Sequence, residues 1–94
     1  MRKRLWVLLL LLLIPAVNSY SINKYIYDTY YSDATFTTGV GDYEHDCDGT
    51  VYTDGTTTTN YRYHYEYVCD LDNPNEGCQE WDSSLGRWVY ITCP

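Results

Sequence analysis

The segment at residues 61–69 alternates strictly, with a tyrosine at every second position and Cys69 at its end. The positions between them hold a mixed set, namely Arg62, His64, Glu66 and Val68. A period of two places alternate side chains on opposite faces of a β-strand, and no helix reproduces it. The segment therefore predicts a strand, and we expect its tyrosine side to form the core.

Further strands are predicted on both sides of this segment. Residues 25–31 are rich in aromatic and β-branched side chains, and residues 35–38 form a short threonine-rich stretch. Residues 40–47 alternate again, with Tyr43, His45 and Cys47 on one side and acidic residues on the other.

Turn signals separate the predicted strands. Asp48-Gly49 and Asp54-Gly55 are typical of tight hairpins and bracket a short strand at residues 51–53. A final hairpin is predicted from residues 78–82 and 87–93. Together these patterns predict an all-β fold, a small antiparallel meander of about five to seven short strands stapled by two disulfides.

The first 19 residues predict an export signal. A basic start at residues 2–4 precedes an apolar run at 5–14, which is too short to span a bilayer core of roughly 30 Å. Pro15 ends that run, and the small residue Ser19 precedes the expected cleavage. We therefore expect a signal peptide at residues 1–19, rather than a retained anchor, and one small secreted domain, extracellular or periplasmic, at residues 20–94.

Removal of the leader makes the chain strongly acidic. The mature chain keeps three basic residues, Lys24, Arg62 and Arg87, against thirteen Asp and Glu residues, a formal charge of −10. This charge repels nucleic-acid phosphates and anionic membranes, so neither is an expected partner. Cationic partners, sugars and divalent cations stay open, as does a charge that serves solubility alone.

All four cysteines, Cys47, Cys69, Cys78 and Cys93, lie in the mature part of the chain. A domain of about 75 residues has a thin core, which disulfides can supplement in an oxidising compartment. The spacings of 22, 9 and 15 residues lack the paired C-x-x-C knuckles of a zinc site. Three pairings are possible. The two alternating strands that end in cysteine favour Cys47 with Cys69, and the last hairpin brings Cys78 near Cys93.

An ordered set of short motifs runs through the first part of the mature chain. The motifs are Tyr30-Tyr31-Ser32-Asp33-Ala34, Val40-Gly41, Cys47-Asp48-Gly49, Gly55, Thr58 and Cys69. Over roughly residues 25–69 this set resembles a family of small secreted bacterial proteins known as domain of unknown function 6289. The resemblance implies export, a short β-rich domain and a Cys47–Cys69 bridge, and it implies no activity. Residues 70–94 extend this family-like core by a hairpin with its own cysteine pair.

Enzymatic activity is not expected from the candidate catalytic residues. His45 and His64 are the only histidines, and no G-x-S-x-G or comparable nucleophile motif accompanies the serines. The alternation assigns His45 to the inner side and His64 to the outer side, so they would not converge. Carboxylates at residues 42–48 are spaced about 7 Å apart, as in an inverting glycosidase, but so small a domain hardly forms a substrate cleft.

Two acidic stretches contain the oxygen ligands that calcium prefers. Residues 46–49 are Asp-Cys-Asp-Gly, and residues 70–76 begin with the D-x-D of a calcium loop. In the second stretch, Pro74 takes the place of a ligand and no glutamate stands at position twelve. We expect hydrogen-bonded turns at both places and assign neither a metal nor a cofactor.

The aromatic residues are too many for a small core to hide. Trp81, Trp88 and Arg87 in the last hairpin form the predicted binding surface. The sequence therefore favours a secreted, non-enzymatic structural or binding protein whose partner is a glycan or an extracellular protein. One alternative is a carbohydrate- or cell-surface-binding module that uses exposed Tyr and Trp. Another is a small toxin or inhibitor that presents the loop at residues 70–77.

Overall fold

The computed structural model describes residues 23–94, so the predicted signal peptide at residues 1–19 lies outside the described part. Within it, six antiparallel strands form one sheet, and no helix is long and apolar enough to cross a membrane. The strands are β1 (Lys24–Tyr31), β2 (Gly39–His45), β3 (Val51–Gly55), β4 (Tyr61–Val68), β5 (Asn75–Asp82) and β6 (Arg87–Tyr90). The predicted all-β antiparallel fold is confirmed.

The strand order is β3-β2-β1-β4-β5-β6, so that two three-stranded meanders meet along β1 and β4. Residues 56–60 carry the chain from the edge strand β3, past β2 and β1, to β4. Five extended residues, at about 3.5 Å each, are long enough to cross three strand spacings of about 4.8 Å. Because the second meander begins only after the first is complete, the two central strands, β1 and β4, are distant in sequence.

This crossover connection lies tightly against β2. Thr56 donates its backbone N–H to the carbonyl of Val40 at 2.8 Å. A Cβ atom at Gly41 would lie 2.1 Å from the carbonyl oxygen of Thr56, so only glycine leaves room for the connection at this position. The run of threonines at residues 56–59, which shows no pattern in the sequence, is thus the segment that joins the two meanders.

Cross-strand register assigns every strand residue to one of two faces. Tyr27 of β1 pairs with Tyr65 of β4 and Glu44 of β2, and we call this side the tyrosine face. Asp28 pairs with His64 and Tyr43 on the other side, which we call the Asp28 face. The tyrosine face carries Tyr25, Tyr27, Tyr31, Tyr52, Tyr61, Tyr63, Tyr65 and Tyr67.

The most buried side chains lie mainly on the Asp28 face. Of the five buried side chains among residues 23–94, Asp28, Tyr30, His64 and Gln79 belong to this face and Cys78 to the other. The tyrosines of β4 are only half-buried. The prediction that these tyrosines form the core is therefore wrong.

The predicted relation between the two histidines is wrong as well. His45 pairs with Ile26, and His64 pairs with Asp28, two residues further along the same face of β1. Both histidines therefore lie on the Asp28 face, together with Tyr43 and opposite the tyrosines of β4. Alternation shows which residues share one side of a single strand, but only register shows which sides of two strands coincide.

Residues 32–38 connect β1 to β2, so the strand predicted at residues 35–38 is wrong. Asp33 accepts hydrogen bonds from the backbone N–H and the hydroxyl of Thr35, at 2.9 and 2.5 Å. Phe36 has a positive φ of 55°, which no strand allows. Local hydrogen bonds to Asp33 thus outweigh the β-propensity of the threonines. The loop predicted at residues 70–77 also ends early, because β5 begins at Asn75.

Both disulfides join the pairs that the strands favour. Cys47, just after β2, is bonded to Cys69, just after β4, so this bridge ties together the two neighbours of β1 at one end of the sheet. Cys78 of β5 is bonded to Cys93 beyond β6. The closed loops of 22 and 15 residues correspond to a stabilisation of about 3 kcal/mol each in the chain-entropy account. Cys47 is exposed and not in the predicted interior.

Candidate functional site

Asp28 lies at the centre of the sheet, where it is only 2% exposed. Its Oδ1 is 2.5 Å from Nδ1 of His64, the residue paired with it on β4. Its Oδ2 accepts a hydrogen bond from the Arg62 guanidinium at 3.3 Å. A buried carboxylate is costly unless it is paired and hydrogen-bonded, and both of these oxygens have a partner.

Arg62 connects Asp28 to the last hairpin. Its Nε donates to Oε1 of Gln79 on β5 at 2.8 Å, and its guanidinium lies 4.1 Å from the centroid of the Trp88 ring. Trp88 in turn meets Tyr30 edge-to-face at 6.1 Å. The Asp28 cluster, which comprises Asp28, Arg62, His64, Gln79 and Trp88, therefore fastens β5 and β6 to the centre of the sheet.

His64 has a carboxylate at each of its ring nitrogens. Nδ1 is bonded to Asp28, and Nε2 lies 3.4 Å from Oε2 of Glu66. The ring of Tyr90 contacts His64 edge-to-face at 6.4 Å, in the space that Gly77 leaves on β5. In a catalytic triad the second nitrogen faces a nucleophilic hydroxyl or thiol. The Asp28–His64 pair resembles half of a triad, but a carboxylate occupies the place of the nucleophile.

The tyrosine face is a continuous aromatic surface over β1 and β4. Tyr25 stacks on Tyr67 with ring centroids 5.0 Å apart, and Tyr65 meets both rings edge-to-face at 6.3 and 5.9 Å. Phe36 extends this surface by packing on Tyr31 at 5.2 Å. These ring contacts hold the aromatic side chains in a defined arrangement. No other strand in residues 23–94 packs over the surface that they form.

Carboxylates border the aromatic surface on β2 and β3. Glu44 lies between Tyr27 and Tyr52 in the cross-strand register, and Asp42 lies opposite Asp54 in the next row. These side chains line a shallow cavity of about 230 Å³, which we call the acidic groove. Among residues 23–94, the three carboxylates form no salt bridge, and no group of metal-ligating side chains is arranged to hold a metal ion.

The acidic neighbours change the chemistry of the tyrosines. Burial, followed by a 2.8 Å hydrogen bond from the hydroxyl to Glu44, raises the pKa of Tyr25 to about 12. The negative charge of Asp42, followed by burial, raises the pKa of Tyr27. Both phenols therefore stay protonated further into the alkaline range than an ordinary tyrosine, and they act as hydrogen-bond donors beside the carboxylates.

The structure divides the binding surface predicted for the last hairpin. Trp81 and Trp88 form a cross-strand pair, edge-to-face at 5.7 Å, on the Asp28 face. Trp81 is 38% exposed. Arg87 pairs with Asp82 on the tyrosine face, and the arginine that contacts Trp88 is Arg62. The two tryptophans are therefore together, but Arg87 is not with them.

Aspartates at two hairpin turns accept hydrogen bonds from nearby backbone N–H groups. Asp48 accepts a hydrogen bond from the backbone N–H of Thr50 at 2.8 Å, and Asp82 accepts one from Ser84 at 2.9 Å. Hydrogen bonds from the side chains of the same two partners, Thr50 and Ser84, are the largest cause of the lowered pKa of each carboxyl. The turn interpretation of residues 46–49 agrees with this geometry.

Sequence reasoning missed the Asp28 cluster. A signal was present, because Asp28 is the one acidic residue in the aromatic stretch at residues 25–31. The basic residues of the alternating segment, Arg62 and His64, share one side of that segment. A lone carboxylate in one strand and basic side chains on one side of another would have favoured pairing the two strands through these residues.

Comparison with known families gives one match, to a segment of the chain between β1 and the end of β4. Residues 28–70 match the model of DUF6289, a family of unknown function. The match covers the second half of β1, all of β2, β3 and β4, and the first disulfide, and it leaves out β5 and β6. No curated protein and no solved structure matches the chain. The resemblance expected from the short motifs is confirmed.

Proposed function

We propose that the chain is an exported, non-enzymatic binding protein whose tyrosine face is the contact surface. The observation that carries this proposal is the contrast between the two faces. Within residues 23–94, every buried side-chain nitrogen and oxygen has a hydrogen-bond partner. The tyrosine face, by comparison, presents to the solvent aromatic rings and carboxylates that form no salt bridge among residues 23–94. Tyrosine supplies large, rigid contact area together with a hydrogen-bonding hydroxyl, as binding surfaces require.

The surroundings of His64 support a non-enzymatic role. Both of its ring nitrogens face carboxylates, and the ring is 7% exposed. Among residues 23–94 there is no free cysteine to act as a nucleophile. The hydroxyl of Ser84 is bonded to Asp82 in the last turn, away from His64. The Asp28–His64 pair is thus best explained as a structural pair.

Export is supported by the leader pattern and by the two disulfides. Disulfides persist mainly in oxidising compartments, and small secreted domains rely on them. Intact mass of the secreted protein, before and after reduction and alkylation, tests this part of the proposal. We expect a chain that begins at Tyr20 and has no free thiol before reduction. A chain that retains residues 1–19, or a free thiol, would contradict it.

The binding role can be tested with a matched pair of substitutions on β3. Tyr52 lies on the tyrosine face and Val51 on the Asp28 face, and both are exposed, at 56% and 50%. The mature protein would be immobilised and used to capture partners from the culture medium. We expect a partner that is retained by the wild type and by Val51→Ser but lost with Tyr52→Ser. Equal capture by the two variants would contradict the assignment of the contact surface.

Carbohydrate binding is the second candidate, and the exposure of Trp81 favours it. Residues Glu80, Trp81, Asp82 and Ser83 line a cavity of about 250 Å³ near the last turn. An exposed flat aromatic ring offers a surface on which a sugar ring can stack. A glycan array should then give a saturable signal that Trp81→Ala abolishes, and a blank array would count against this candidate.

A further inference from the structure

We infer that the acidic groove binds the side-chain cation of a partner polypeptide, an ammonium or guanidinium group from lysine or arginine. This inference rests on the binding role proposed above and specifies the chemistry of the partner. It is carried by the arrangement of rings and carboxylates in the groove, by the lack of any salt bridge from these carboxylates to a basic residue among residues 23–94, and by the open strand edge next to them.

The groove has the geometry of a site for an organic cation. Glu44 is flanked by Tyr27 on β1 and Tyr52 on β3, one strand to either side. With a strand spacing of about 4.8 Å, a cation seated on Glu44 has an aromatic ring within reach on both sides. Asp42 and Asp54 supply two more carboxylates in the neighbouring row. Cation–π attraction and charge pairing therefore act on the same position.

The charges of the groove have no counterpart within the described chain. The basic residues among residues 23–94 are Lys24 and Arg62, on the Asp28 face, and Arg87 on the distant strand β6. Glu44 is already oriented by the hydroxyl of Tyr25, which donates to it at 2.8 Å. An ordered carboxylate between two rings is a preorganised acceptor, which lowers the entropic cost of binding.

The pairing of Asp42 with Asp54 also favours a bound cation in the acidic groove. Like charges directly opposite each other in an antiparallel sheet are destabilising. A cation from outside relieves this repulsion, so the free energy lost in the unbound sheet is recovered on binding. Sites that depart from the most stable arrangement are typical of function.

The neighbouring edge favours a polypeptide as the source of the cation. β3 is an edge strand, and all its residues, Val51–Gly55, are exposed. Its outer edge presents backbone groups to which an extended chain can add. A segment lying along β3 would place a lysine or arginine side chain over the groove. The aromatic walls favour an organic cation over an inorganic one, which rings recognise poorly when it is hydrated.

The inference is tested by calorimetric titration of the oxidised mature protein with short oligo-arginine and oligo-lysine peptides, and with oligo-glutamate for comparison. We expect saturable binding of the cationic peptides only. Asp42→Asn with Asp54→Asn should weaken it about ten-fold. Asp70→Asn with Asp72→Asn, which removes the same charge from the exposed loop, should change it less than about two-fold.

A second pair of variants tests the aromatic wall. Tyr52→Leu removes the ring, and we expect the affinity for oligo-arginine to fall about five-fold. Tyr52→Phe keeps the ring and should stay close to the wild type. Because Tyr52 is exposed, neither change is expected to affect folding, which circular dichroism would verify.

The outcomes separate the cation site from the binding role. Equal weakening by the groove and the loop variants would mean general electrostatic attraction, and would overturn the groove as the site. Absence of binding to either cationic peptide would overturn the cation chemistry. In both cases the capture experiment with Tyr52→Ser and Val51→Ser still tests the binding role independently, and that role is contradicted if the two variants capture the partner equally.

Discussion

The two faces of the sheet differ in whether their charged side chains are paired with opposite charges. On the Asp28 face, a buried carboxylate is hydrogen-bonded to Arg62 and His64, and among residues 23–94 no buried side-chain nitrogen or oxygen lacks a hydrogen-bond partner. On the tyrosine face, Asp42, Glu44 and Asp54 lie together without any basic partner among the described residues. One face uses charge to hold strands together, and the other places charge where it opposes their pairing.

This difference shows how a single-layered sheet can be ordered without a conventional apolar core. The two buried apolar side chains among residues 23–94 are Tyr30 and Cys78. The Asp28 cluster therefore orders the centre of the sheet, and the two disulfides tie its strands elsewhere. The opposite face is then free of the requirement to form a core, and its side chains can serve contact with a partner.

The largest effect on stability is expected from Asp28→Asn, which disrupts the Asp28 cluster. The substitution keeps the shape but removes the charge that Arg62 and His64 share, and we expect a loss of about 4 kcal/mol in the free energy of unfolding. Urea denaturation measures this loss. Asp72→Asn in the exposed loop is the control, with a change within about 0.5 kcal/mol. Similar midpoints for the two variants would show that the cluster does not hold the sheet together.

The next effect should come from the second disulfide. Replacing Cys78 and Cys93 together by alanine opens a loop of 15 residues, and we expect a loss of about 3 kcal/mol. The last hairpin carries Trp88, which contacts Arg62 and Tyr30, so the tryptophan fluorescence should shift along with the stability. An unchanged spectrum in the folded variant would indicate that the Asp28 cluster holds the hairpin without the bridge.

A smaller effect of the opposite sign is expected on the tyrosine face. Asp54→Asn removes a like charge directly opposite Asp42, and should raise the free energy of unfolding by about 0.5 kcal/mol. The gain should shrink with added salt, because the pair is exposed to screening. Thermal unfolding at low and high ionic strength measures both. Destabilisation by Asp54→Asn would remove the contrast between the faces.

The last effect is confined to the alkaline range and is absent at neutral pH. Burial and the bond to Glu44 raise the pKa of Tyr25 from about 10 to about 12, so the folded state holds this proton more tightly than the unfolded state does. The stabilisation is therefore complete below pH 10 and is lost as the pH rises towards 12. Ultraviolet titration of tyrosinate would show a late-ionising tyrosine that disappears in Tyr25→Phe, and Glu44→Gln should lower its pKa.

The strands could be predicted because alternation is a local property of the sequence. The segment at residues 61–69 corresponds to β4, which ends one residue earlier than predicted. The prediction was wrong at residues 35–38, since the hydrogen bonds of Asp33 outweigh the strand propensity of threonine there. The cysteine pairs followed from the ends of strands, which are equally local features.

The identity of the buried face could not be predicted in this way. It depends on the register between Asp28 and His64, which are 36 residues apart. A shift of one residue between β1 and β4 would place Asp28 beside a tyrosine instead. Only part of the acidic groove could be predicted from the sequence. The row of carboxylates on β2 was evident, but the aromatic walls of the groove come from β1 and β3. Composition indicated a contact surface, which the sequence prediction placed on the last hairpin and which we propose to be the tyrosine face.

The crossover at residues 56–60 has a consequence for the order in which the chain folds. β1 is the first strand of the described chain, yet its partners across the sheet centre lie in β4. The central pairing is thus a contact of high sequence separation, and such contacts fold slowly because a long loop must close first. The hairpins β2–β3 and β5–β6 need no such closure. We expect them to form early, while β1 stays unpaired on one side until β4 arrives.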